Sequence, residues 1–280
     1  MCPTTYITTS WDDGHPLDLR VAELLTKYGI RGTFYVPRSA ERSTMTAAHI
    51  RQICSTFEIG AHTLHHVVLT NATEQAAWQE ISISKAWVED TTGSRCVLFC
   101  PPKGRYTARH LTMIRDAGYL GLRTTELISL DFPRRQSGLL LMPTTVQAYP
   151  HSTLALVKNA IKRTAFGNLW RLVVDGRSTE WPTRAQSLLL RALQRGGVFH
   201  LWGHSWELQD VDQWRRLEEL LRFMSWFVRQ APTLTNGEIC QCASSPTGSI
   251  DDDQPEPVRS GSIGERALLT KSFISRSGLQ

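Results

Sequence analysis

Three short clusters combine carboxylates and imidazoles at spacings that suit metal-assisted hydrolysis. The first is Ser10-Trp11-Asp12-Asp13-Gly14. Adjacent carboxylates on an extended chain point in different directions, so one can ligate a cation while the other faces a substrate. The second, His62-Thr63-Leu64-His65-His66, sets two histidines four residues apart. A single helical turn would put both imidazoles on one side, with His65 out of phase and left for packing or support. Two histidines and a carboxylate, with further positions left to water, describe a catalytic metal site. The third, Phe199-His200-Leu201-Trp202-Gly203-His204-Ser205-Trp206, carries a His beside a Gly that would let a ligand approach the backbone. Alone, each has an ordinary reading: a polar turn, paired histidines on a helix, a structural His among aromatics. Together they supply a metal, a base and an acid.

These clusters need a scaffold that brings distant segments together. Strand-like runs at Tyr6–Trp11, Gly32–Val36, Glu58–His62, Cys96–Cys100, Leu120–Thr124, Leu139–Val146 and Val198–Trp202 alternate with helical segments. Helices are predicted over Leu17–Tyr28, stopped by Gly29, over Thr73–Asp90, and over Asp212–Arg229, where Trp214, Leu217, Leu221, Met224 and Val228 form one apolar face. Such alternation predicts βαβ units and a mainly parallel sheet. The expected fold is α/β, a distorted (β/α) barrel of seven or eight strands. All three clusters fall at predicted strand ends, the edge where parallel α/β proteins assemble active sites.

The chain has 280 residues, 41% hydrophobic and 20% charged, enough for one barrel domain over 1–242 with a core built from apolar burial alone. From Ala243 the composition turns polar and Pro-rich, so 243–280 is expected to be a disordered tail, with Glu265–Ile274 able to form a short helix on a partner. The net charge of +5 is not gathered into a basic stripe with interleaved aromatics, which argues against nucleic acid as a partner. The six cysteines show no disulfide framework or paired CxxC motifs, and reduced thiols are expected. Neither a leader pattern nor an apolar run long enough to span a bilayer is present, so a cytoplasmic location is expected.

In combination and order the clusters resemble the polysaccharide deacetylase family, carbohydrate esterase family four, which includes the nodulation-type chitooligosaccharide deacetylases. Ser10-Trp11-Asp12-Asp13-Gly14 resembles the family's Thr-Phe-Asp-Asp-Gly, and His62-Thr63-Leu64-His65-His66 matches its His-Ser/Thr-x-x-His. Phe99-Cys100-Pro101-Pro102-Lys103-Gly104 is similar to a segment that commonly reads Arg-Pro-Pro-Tyr-Gly, and Leu201-Trp202-Gly203-His204 to the family's closing Leu and His. Arg31-Gly32-Thr33-Phe34-Tyr35-Val36 fits its ATFF strand, and the likeness runs from about Thr4 to about Ile239. The resemblance implies a divalent metal, zinc first and cobalt or another ion next, held by Asp13, His62 and His66. It implies Asp12 as general base, His204 as general acid, and Thr63 as a loop-stabilising hydrogen-bonder. The Lys103 N–H would complete an oxyanion site, with Pro102, Arg105, Leu201 and Trp202 nearby. The implied partner is an N-acetylated carbohydrate, losing acetate.

Three positions depart from the pattern. Cys100 stands where the family often has an Arg that orients the base, with Arg105 or Arg123 as its possible replacement. Lys103 replaces an aromatic residue. The family's Asp and Trp that support the catalytic His have no clear counterpart, with Asp131 and Trp181 the nearest guesses. Flat faces for a sugar ring could come from Trp11, Trp202 and Trp206. The rival readings are an allantoinase-like hydrolase of another C–N bond, a glycan-binding barrel without catalysis, and an iron(II) oxygenase, which the motif order disfavours.

Overall fold

The computed structural model describes residues 4–162, 166–174 and 178–244. Nine strands form one sheet: β1 (Thr5–Asp12), β2 (Gly32–Val36), β3 (Glu58–Ala61), β4 (Leu98–Phe99), β5 (Gly121–Arg123), β6 (Arg134–Gln136), β7 (Leu139–Met142), β8 (Val146–Gln147) and β9 (Gly197–Gly203). Helices α1 (Asp18–Lys27), α2 (Ala47–Ile53), α3 (Glu74–Thr92), α4 (Ala108–Asp116), α5 (Thr153–Lys162), α6 (Phe166–Val174), α7 (Trp181–Arg195), α8 (Ser205–Asp210), α9 (Trp214–Ser225) and α10 (Asn236–Ser244) follow or separate them. All seven expected strand regions are present, and the three expected helices appear as α1, α3 and α9 with slightly different ends.

The ladder runs β6-β7-β5-β4-β3-β2-β1-β9-β8. Every pair is parallel except β6 with β7. The expected single strand Leu139–Val146 is two strands, because Pro143 has no N–H for a ladder. Its halves belong to opposite sides: β7 pairs with β5, and β8 with β9. Four residue steps from Met142 to Val146 span at most roughly 14 Å. The two ends of the ladder therefore lie close together, and the sheet is curled into a distorted barrel.

Side-chain alternation separates two buried layers. Tyr35, Leu98, Leu140, Met142 and Val198 cluster with Ile239 and Cys240 of α10. Their strand neighbours Phe34, Phe99, Leu139, Leu141 and Phe199 join the larger core beneath the helices. On α9, Trp214, Leu217, Leu221 and Met224 are buried as predicted, whereas Val228, expected on the same face, lies beyond the helix end at Ser225 and is half-buried. Helix α10 is tied to the strands by polar bonds: Thr8 Oγ1 donates to Asn236 Oδ1, Asn236 Nδ2 to the Tyr35 hydroxyl, and the Gly237 N–H to Glu58 Oε2. Helix α10 carries Ala243 and Ser244, the first two residues of the expected tail, whereas 245–280, including Glu265–Ile274, lie outside the described residues. The five described cysteines are free thiols. Among the described residues no helix is long and apolar enough to cross a membrane.

Candidate metal and catalytic site

The two adjacent carboxylates separate because β1 ends between them. Asp12 closes the strand, while Asp13 and Gly14 take left-handed backbone angles (φ 75° and 59°). Gly is required at 14 because a Cβ there would sit 3.1 Å from Val36 Cγ1 and 3.2 Å from its Cβ, besides the positive φ. Asp13 Oδ1 lies 3.3 Å from His62 Nε2 and 3.0 Å from His66 Nε2. Its other oxygen, Oδ2, accepts from Trp206 Nε1 at 2.9 Å.

The histidine pair converges by a different route from the one predicted. Residues 62–66 are a loop rather than a helical turn, and Thr63 and His66 both have positive φ (59° and 55°). These left-handed residues turn the loop back on itself and bring the two rings to 5.1 Å, centroid to centroid. Thr63 Oγ1 donates to the His62 carbonyl at 2.6 Å. His65 points away and bonds Glu80, whose other carboxylate oxygen accepts the Leu64 and His65 N–H groups, so it supports the loop. His62 Nδ1 sits 2.6 Å from the Cys100 carbonyl. A carbonyl can only accept, so Nδ1 carries a proton, and Nε2 is the ring atom turned toward Asp13 Oδ1.

Asp12 turns the other way. Its Oδ2 is ion-paired with Arg123 Nη2, and Cys100 Sγ lies 3.8 Å from the same oxygen. Oδ1 is buried without a hydrogen-bond partner. Of the two arginines considered as replacements at Cys100, the structure selects Arg123. Burial pushes the Asp12 carboxyl up, but Arg123, with His62 and His204, outweighs this and holds it below the usual carboxylate range. Asp13, also buried, is driven well below that range by its two histidine partners and His204. Burial pushes the Cys100 thiol well above its usual value.

His204 follows β9 and caps the start of α8, with Nε2 4.0 Å from Asp12 Oδ2 and 3.9 Å from Asp13 Oδ2. Its Nδ1 is 2.7 Å from Glu207 Oε2, one helical turn on. Burial lowers the pKa of His204, but the hydrogen bond to Glu207 and the charges of Asp13, Glu207 and Asp12 raise it to about 9. Asp131 and Trp181, the two guesses for this support, are elsewhere: Asp131 pairs with Arg171, and buried Trp181 donates to Gln213. Glu207 was missed, although its signal was a carboxylate three residues after the His at a helix start. Gly203 does not make room for a ligand. A Cβ there would meet the Trp11 ring and Ala148 Cβ at 3.2 Å. Trp11 itself is fully buried and offers no face to a sugar.

These groups line a cleft of about 430 Å³, together with Pro101, Lys103, Leu127, Gln147, His151, Trp202 and Trp206. Of the expected flanking residues, Lys103 and Trp202 are on its wall. Pro102 and Leu201 are buried off it, and Arg105 is exposed off it. Among the described residues, two three-residue groups have ligand atoms close enough for one cation: Asp13-His62-His66 and Asp12-His62-Cys100. The second fits poorly, since the Arg123 cation abuts Asp12 and the Cys100 thiol resists ionisation. The first fits well: two Nε2 atoms face one ionised carboxylate oxygen, and a fixed tautomer aims His62.

Residues 3–122 match the family described as polysaccharide deacetylase. No curated protein sequence matches the chain. Among solved structures it is similar to a candidate polysaccharide deacetylase from Mycobacterium smegmatis, with 16% identity over 86% of this chain and 91% of that one, TM-score 0.61. A family 4 acetyl xylan esterase from Clostridium thermocellum, solved with a cobalt ion, gives 16% identity over 86% and 93%, TM-score 0.52. A Bacillus anthracis pseudoenzyme of the same esterase family gives 12% identity over 86% and 66%, TM-score 0.51. The fold they share is the (β/α) barrel that the sequence predicted.

Proposed function

Taking the polysaccharide deacetylase match over residues 3–122 as the premise, we propose that the chain is a metal-dependent hydrolase that removes N-acetyl groups from an amino sugar in an oligo- or polysaccharide. The observation that carries this reading is a convergence. One triad of donors, Asp13, His62 and His66, shares a cleft with a buried carboxylate, Asp12, and with His204, whose Nε2 is 4.0 Å from Asp12 Oδ2. A divalent cation held there, zinc or cobalt in the first instance, supplies Lewis acidity toward the acetamide carbonyl and the attacking water.

The remaining roles belong to the chain. Asp12, kept ionised by Arg123, has Oδ1 free to accept the proton of the attacking water. His204, protonated and held at Nδ1 by Glu207, donates from Nε2 to the leaving amine. The backbone N–H of Lys103 would meet the developing oxyanion from the cleft wall. Trp202 and Trp206 flank His204 at 5.6 and 5.4 Å between ring centroids. Trp202 is buried beneath the Arg123 guanidinium, so the apolar surface for a sugar ring would come from the face of half-buried Trp206 away from Arg42. An inactive relative is known within the fold. The complete triad, base and acid speak for a working enzyme here.

The test is acetate release. Protein stripped of metal, then reloaded with zinc or cobalt, is incubated with N-acetylglucosamine oligomers. Metal-dependent acetate that disappears in Asp12→Asn supports the reading, and bound metal without acetate from any N-acetyl sugar moves the substrate to another amide, with ureides next.

A further inference from the structure

Glu207 accepts a second bond besides the one from His204. Gln147 Nε2 donates to the same oxygen, Oε2, at 2.8 Å, and Gln147 Oε1 lies 2.7 Å from His151 Nε2. Four side chains from two segments, 147–151 and 204–207, thus form one chain, His151–Gln147–Glu207–His204, and all four line the cleft. The chemistry fixes each orientation. An ionised carboxylate can only accept, so the Gln147 amide must turn its NH₂ toward Glu207, which leaves Oε1 to take the His151 Nε2–H. Glu207 sits on a six-residue helix and has several side-chain torsions of its own. Gln147 is better anchored: it is buried, in a strand paired at Trp202, and the Ala148 N–H bonds the Trp202 carbonyl at 2.7 Å.

We infer that Gln147 is a positioning residue for the general acid: it holds Glu207 in place so that His204 keeps Nδ1 protonated and Nε2 aimed at the leaving amine. This rests on the deacetylase reading of the site. A residue acting through the acid should matter where the leaving group needs a proton and matter much less where it does not. An amine leaves an acetamide only when protonated, whereas p-nitrophenolate leaves an acetate ester as the anion.

The experiment compares Gln147→Met, equal in length but without polar atoms, with wild type in the zinc-loaded full chain. The amide kcat on N-acetylglucosamine oligomers should fall roughly tenfold, part of the 10²–10⁴ that a positioned acid contributes, with KM little changed. The amide-to-ester ratio, with p-nitrophenyl acetate as the ester, should fall with it. His151→Phe should move the ratio the same way by less. An equal fall on both substrates, or none on the amide, overturns the inference. The His204 ring supplies a readout that needs no turnover. Its Nδ1–H resonance in nitrogen-15 spectra should be visible in wild type and lost to solvent exchange in Gln147→Met. An unchanged resonance overturns the positioning role. A changed resonance in a protein that deacetylates nothing supports the role while sinking the proposed function.

Discussion

Cys100 and Arg123 stand level on neighbouring strands. The β4–β5 ladder pairs Leu98 with Gly121 and Phe99 with Leu122, and the next step of that register sets Cys100 beside Arg123. The guanidinium that the sequence pattern leads one to expect at position 100 is supplied one strand sideways, and it reaches the same carboxylate, Asp12. Cys100 fills the vacated place as a buried thiol.

Arg123→Met should therefore cost both activity and stability. Removing one partner of a buried pair leaves Asp12 uncompensated, which costs about 3–5 kcal/mol. Urea unfolding should show that loss, and acetate release should fall on the order of 10²-fold as Asp12 loses its ionised form. The double variant Cys100→Arg, Arg123→Ser, which returns the cation across the register, should recover part of the rate. No recovery would mean that the two positions are not interchangeable.

Base and ligand should separate in metal analysis. Asp12→Asn should keep near-normal bound zinc yet lose turnover by at least about 10²-fold. His66→Ala should lose metal and turnover together, and chelation of the wild type should mimic it. Retained metal in His66→Ala would remove that residue from the triad.

Trp206 holds the second oxygen of Asp13, while Arg42 covers its ring at 3.9 Å. Trp206→Phe keeps the ring but deletes the N–H. Zinc affinity should drop roughly 10–100-fold, the usual scale for groups that orient a ligand. Competition against a fluorescent chelator measures it, and unchanged affinity would assign Trp206 to substrate contact alone.

Asp18, whose carboxyl feels the charges of Asp13, His204 and Asp12, gives a pH signature in stability. Its carboxyl is fully buried, and neither oxygen has a hydrogen-bond partner within normal distance. Burial raises its pKa well above the usual value, against a smaller lowering by Ser205. A folded-state pKa above the unfolded one gives stability that is complete below the unfolded value and is lost as pH rises through the folded value. Asp18→Asn, which cannot ionise, should match wild type below the unfolded carboxylate pKa, and its advantage in melting temperature should grow as pH rises above that value until the folded pKa is passed. Parallel melting curves across pH would contradict this.

The candidate ligands Asp13 and His62 were legible because they follow strand-like runs, and parallel strands bring their C-terminal ends together, whereas His66 reaches them through the left-handed turns of the 62–66 loop. Strand ends and residue types brought Asp12, Asp13, His62, His66 and His204 together as candidates, and the family resemblance supplied the role proposed for each. The supporting residues were not legible from order along the chain. Arg123 needed the β4–β5 register, and Gln147 needed the break at Pro143 that sends β8 to the far side of the ladder. Asp131 and Trp181 were chosen by type and lie in other contacts. The antiparallel β6 escaped notice because its three residues, Arg134 to Gln136, are all exposed and show no alternation.

Among the described residues, seven non-glycine residues have left-handed backbone angles, and four of them, Asp13, Thr63, His66 and Lys103, lie in or beside the candidate site. Each such angle costs on the order of 1–3 kcal/mol in a side-chain-bearing residue, and for β-branched Thr63 it is a marked outlier. The catalytic rim is thus where the fold is least comfortable. Robustness and activity pull in opposite directions there: glycine at 66 would relax the backbone and abolish a ligand. Selection for heat tolerance alone, with no demand for turnover, would erode this rim first, and an occupied metal site would hide the deficit by stabilising the folded state.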